Sequence, residues 1–175
     1  MTHRSVLVVF SGGLVLGGLL TSFGLWAFSV LLPDMPVLLA FALVCGIAFL
    51  AIGHDTQRVD VAFPQCHRQV PTTIFQRSPR SAALQFGFEM GTGVRTYLSA
   101  ATPFVVAALL LVSAPALYSA LATGAGFGVG RASTAAARAL SGGRQQWDVL
   151  LARSLGAIRV SGSFMVAASS AFLLM

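Results

Sequence analysis

The chain is 175 residues long, 56% hydrophobic and only 9% charged, with a formal net charge of +6. A soluble domain carries about 25% charged residues, so this composition excludes an ordinary water-soluble globule and places the chain in the membrane class. All 11 basic residues are arginine. They fall between apolar runs and no recognition motif accompanies them, so nucleic acid is not expected as a partner.

After His3 and Arg4, the run from Val6 to Leu32 carries no charge. About 20 apolar residues cross a bilayer core of roughly 30 Å, so this run is long enough to span with some tilt. A cleaved signal peptide has a shorter apolar region and a small-residue cleavage site, whereas this run ends at Pro33-Asp34. Gly13 and Gly17 form a G-x-x-x-G pair, a spacing that lets membrane helices approach closely. Pro33-Asp34-Met35-Pro36 reads as a tight turn. A second span, 37–53, follows, and the short turn makes the two a hairpin.

His54 to Ser81 is a polar loop with four arginines against Asp55 and Asp60, broken by Pro64, Pro71 and Pro79. Next comes Gln85-Phe86-Gly87-Phe88-Glu89-Met90-Gly91-Thr92-Gly93-Val94-Arg95, which leads into a run without charge from Leu98 to Gly130. As one helix that run would be about 50 Å long, too much for one crossing. Pro115 divides it into two short spans, 98–114 and 116–130. The second contains Gly124 and Gly128, another close-packing pair. Its alternating glycines are no dinucleotide fingerprint, because the spacing is wrong and no strand precedes them.

A second polar loop, 131–153, is again rich in arginine, and Trp147 is a plausible interface anchor. A last apolar run, 155–175, is long enough to span, with Arg159 about one turn inside it and able to snorkel. The expected fold is therefore all-α: a polytopic membrane helix bundle of about five transmembrane helices, two hairpins plus a C-terminal span, forming one integral membrane domain. Five spans put Arg4 and both arginine-rich loops on one side, and cytoplasmic loops are the ones enriched in arginine. The N-terminus is expected inside and the C-terminus outside, in the cell membrane. The first four spans also have the layout of a loose duplication, with a hairpin, a proline at the turn and a basic loop in each half.

Glu89 and Arg95 are two opposite charges at the mouth of, or inside, an apolar span, and such groups are functional candidates. On a continuous helix they would lie roughly 120° apart and would not meet. Gly91-Thr92-Gly93 can break the helix between them, making Glu89, Arg95, Thr92, Gly91 and Gly93 a candidate polar membrane site. The competing reading is an interfacial helix whose two charges meet headgroups and water. His54, Asp55, Cys66 and His67 are metal-ligand types at a spacing that fits no compact site, so they read as surface loop residues and no metal or cofactor is expected. Cys45 reads as a packing residue. No nucleophile elbow, zinc-protease or phosphate-loop motif is written in the chain, so no enzymatic activity is assigned.

The functional expectation is a small-solute transport or permease component, with lipid and other membrane subunits or further copies of the chain as partners. The alternatives are a non-catalytic assembly subunit of a larger complex and a thiol-redox carrier. The last needs paired intramembrane cysteines, and Cys45 has no counterpart in the second half.

Overall fold

The computed structural model describes residues 3–33, 35–60, 78–93, 100–141, 148–158, 160–162 and 165. Five helices organise them: α1 (His3–Leu31), α2 (Val37–Asp55), α3 (Pro79–Gly91), α4 (Thr102–Ser113) and α5 (Leu117–Leu140). Residues 148–158 are also helical, and no strand occurs among the described residues. The expected span 155–175 lies largely outside them, as do Cys66, His67, Arg95, Trp147 and Arg159.

Two helices are long and apolar enough to cross a membrane, over Ser5–Leu31 with mean hydropathy 2.1 and over Val37–Asp55 with mean hydropathy 2.4. The core helix of a soluble protein is mostly covered, but only 28% and 22% of these two are buried. Leu31 and Leu38 are about four-fifths exposed, Phe49 72% and Phe28 66%. Hydroxyls inside the helices turn back onto the preceding turn. Ser22 Oγ donates to the Leu19 carbonyl at 3.0 Å, Ser29 Oγ to Trp26 at 2.7 Å and Ser113 Oγ to Leu109 at 2.7 Å, so they need no water.

The helices fall into two compact units. The first holds α1 up to Gly24 with α3 and α5; the second holds the rest of α1 with α2, α4 and residues 148–158.

Glycine builds the first unit. A Cβ at Gly13 would run into the backbone of Leu84, Gly87 and Phe88, and one at Gly17 into that of Phe88, Gly91 and Thr92. Conversely, a Cβ at Gly87 would meet the Phe10 carbonyl and one at Gly91 the Leu14 carbonyl. Two G-x-x-x-G pairs therefore face each other, and the register rises together on both helices, so α1 and α3 run parallel. Another side of α1 takes α5. Gly124 lies against Gly18 and Ser22, and Gly128 against Leu14 and Val15; here the register falls as α1 rises, so α5 is antiparallel to α1. Consequently the start of α1, the start of α3 with Arg80 and the last turn of α5 with Arg138 share one end of this unit. Gly126 and Gly130 meet nothing within 4 Å, so of the alternating glycines in α5 only Gly124 and Gly128 are used within the unit.

In the second unit α2 packs on α4 through Val44, Ala48, Ala51, Ala101 and Val105, all at most 2% exposed. α2 ends where α4 begins, so these two are antiparallel. Trp26 Nε1 donates to the Pro115 carbonyl at 3.1 Å, tying the end of α1 to the break after α4.

Several boundaries differ from those expected. α4 has 12 residues, about 18 Å, which is shorter than a bilayer core. α5 has 24 residues and continues to Leu140, through positions expected in the polar loop. Its alanine-rich second half favours helix, and Arg131 breaks nothing because a charge ends no helix by itself. Asp55 is not a surface loop residue: it is the last residue of α2 and only 7% exposed. The break at Pro115 is present, with Ala114 in the left-handed region at φ 40°. α4 and α5 fall into different units.

Candidate functional site at the end of α3

α3 is set up by its sequence. Ser78 is the N-cap, its hydroxyl accepting from the Ser81 amide at 3.3 Å, and Pro79 occupies the first turn. Proline is tolerated there because the first amides have no helical partner. The helix stops at Gly91, with Thr92 as C-cap and Gly93 at φ +66°. That left-handed conformation is one glycine adopts without strain, and it is a common way to end a helix. At 13 residues α3 is about 20 Å long.

It ends part-way along α1, level with Gly17 to Thr21. The Thr21 hydroxyl donates to the Thr92 carbonyl at 2.9 Å, the Thr92 hydroxyl to the Glu89 carbonyl at 2.8 Å, and the Gly93 amide to the Met90 carbonyl at 3.3 Å. Backbone carbonyls of the last turn, which an α-helix leaves unpaired, are thus met by protein donors.

Glu89 lies in this last stretch and is 8% exposed. It is the sole acidic residue in the sequence of the first unit. Gln85 Nε2 donates to its Oε1 at 3.3 Å. Along the same face, Ser81, Gln85 and Glu89 follow at four-residue spacing, passing from exposed through half-buried to buried. On the other side of the helix end, the Phe127 ring of α5 packs on Gly93, and the Arg131 guanidinium lies over that ring, 5.6 Å from its centroid, within reach of a cation–π attraction. Glu89, Gly91, Thr92 and Gly93 therefore meet at one helix end. Arg95 lies outside the described residues.

The Gly87–Gly91 pair on α3 was not singled out in the sequence, where Gly91 had been read only as part of a helix break. The four-residue spacing was the signal. Asp55 was missed as well. Its carboxylate accepts the Ala101 amide on both oxygens, at 3.0 and 3.2 Å, and so caps α4, whose own N-cap Ala101 offers no side-chain acceptor. Among the described residues no group of three or more His, Cys, Asp or Glu is placed to hold a metal ion. Cys45 is a half-buried thiol on α2.

Comparison with known families, curated proteins and solved structures finds no match for this chain.

Proposed function

We propose that the chain is a multi-pass integral membrane protein serving as a small-solute transport or permease component. About five spans and a cytoplasmic N-terminus complete this reading. The end of α1, α3 and α5 that carries the arginines is the cytoplasmic one, in keeping with the enrichment of arginine in cytoplasmic segments.

The observation that carries the transport reading is that α3 stops part-way along α1 with buried Glu89 beside its end. If α1 spans the bilayer, α3 is a half-helix ending within it. Non-helical backbone at such depth is tolerated where protein or a water-filled cavity surrounds it, and transporters place solute and ion sites at the ends of interrupted helices. The test is a Thr92→Cys substitution in a chain with Cys45 and Cys66 replaced by serine. In native vesicles a charged, water-soluble thiol reagent reaches that cysteine if a solute path passes the end of α3. Reaction with membrane-permeant reagents alone would contradict the reading.

A second reading, an assembly subunit of a larger complex, is favoured by a shallow groove of about 610 Å³ between α1 and α5, lined by small residues such as Gly12, Ala132 and Ala136. Small residues are what membrane helices use to approach one another. Purification from native membrane separates the two readings, since a subunit brings a stoichiometric larger partner with it.

A further inference from the structure

We infer that Arg131 binds the oxyanion group, a carboxylate or a phosphate, of a solute beside the end of α3; this rests on the transport reading, in which it makes the solute an anion.

Arg131 precedes Arg138 by two turns of α5, which places it about 10 Å inward from the arginine-bearing end of the unit. An arginine that only snorkels extends towards the nearer surface. This one does the reverse. Its guanidinium carbon lies 5.6 Å from the centroid of the Phe127 ring, one turn further inward, and the tip of that ring packs on Gly93, just past the end of α3. The positive charge is therefore held beside the helix end and turned away from headgroup level.

Burial strips the half-buried guanidinium of part of its water. Among the described residues the ring contact is what it has instead, with no hydrogen bond and no ion pair to Arg131. A ring contact uses no oxygen lone pair, so it leaves the five N–H donors in need of acceptors. A partly desolvated cation also calls for a counter-charge. The groups nearby are engaged elsewhere. Carbonyls at the end of α3 are met by the Thr21 and Thr92 hydroxyls and the Gly93 amide. Glu89, the sole acid in the sequence of this unit, takes the Gln85 amide and forms no ion pair with Arg131. The facing helix α1 has no charged residue between Ser5 and Gly24. An oxyanion from outside the chain meets the need. The planar guanidinium fork matches the two oxygens of a carboxylate or phosphate, and the Phe127 face restricts where that fork can sit. A cationic solute would be repelled by the same group, so the charge selects among solutes.

The test uses phenylglyoxal, which condenses with guanidinium groups that no anion covers, on the purified full-length chain in phosphatidylcholine vesicles. The probes are inorganic phosphate and succinate, with ionic strength held constant by chloride, and modified arginines are located by peptide mass. The expected result is modification of Arg131 that slows several-fold with one probe or both, while Arg138 on the same helix is little changed. Protection by one probe alone names the class of oxyanion. In Phe127→Leu, which keeps the guanidinium and removes the ring, the same protection should need several-fold more probe. No modification of Arg131, no slowing by either probe, equal slowing at Arg131 and Arg138, or an unaltered probe requirement in Phe127→Leu would each overturn the inference. Vesicles containing phosphatidylglycerol and no soluble oxyanion separate the other source. Protection of Arg131 by that lipid alone would put a headgroup there and overturn the assignment to a solute. The transport reading fails separately: Thr92→Cys would then be closed to water-soluble reagent while phosphate or succinate still protected Arg131.

Discussion

The Thr21 hydroxyl of α1 donates to the Thr92 carbonyl of α3 at 2.9 Å, joining positions 71 residues apart in the chain. It meets a carbonyl just past the last residue of α3, where the helix can no longer provide a donor. Thr21→Val keeps the shape and removes the donor. Hydrogen bonds between membrane helices are worth about 0.6 kcal/mol on average and up to roughly 1.7, so a loss in that range is expected in reversible unfolding from mixed micelles. An unchanged unfolding midpoint would show that water or another donor takes over at Thr92.

The glycines separate into two classes with opposite expected responses. Gly17, Gly91 and Gly128 face the backbone of a neighbouring helix, so alanine there must push two helices apart, and overpacking costs about 1–3 kcal/mol. Gly126 and Gly130 meet nothing, and alanine is a better helix former than glycine by about 1 kcal/mol. Gly128→Ala should therefore lower the thermal midpoint in detergent, and Gly126→Ala should leave it unchanged or raise it. Equal effects at both positions would contradict the packing of α5 on α1.

Asp55 caps α4 from the end of α2. Asp55→Ala leaves the buried Ala101 amide without that acceptor, which costs about 1–3 kcal/mol. Asp55→Asn keeps one acceptor oxygen and should lose distinctly less. Hydrogen exchange at the first amides of α4 reads this directly, with faster exchange expected in the alanine variant than in the asparagine one.

Much of this was legible in the sequence, and the rest was hidden for identifiable reasons. The first two long helices follow from uncharged runs bounded by prolines, and the interruption at Pro115 follows from the ring that bars helix continuation. Hydropathy could not reveal the partner of each helix. The pairing of α2 with α4 rests on small residues such as Ala48 and Ala101, which look the same on any face of an apolar run. Asp55 read as a loop residue because acids are seldom buried, and the demand that buries it comes from a helix start 46 residues away. At the candidate site, Glu89 stood out by its charge and Gly93 by its turn chemistry. That α3 ends beside the middle of α1 depends on the register of Gly87 and Gly91 against Gly13 and Gly17, and spacing alone does not tell which glycine pairs meet.

The central claim is that α1, α3 and α5 lie in a bilayer with their arginine-bearing end in the cytoplasm. Single cysteines at Ser81, at Ser141 and at Ala116, in a chain with Cys45 and Cys66 replaced by serine, test it directly with a membrane-impermeant thiol reagent on intact cells and on inverted vesicles. The account predicts that Ser81→Cys and Ser141→Cys react only in inverted vesicles and Ala116→Cys only in intact cells. Reaction of all three from the same side would contradict it.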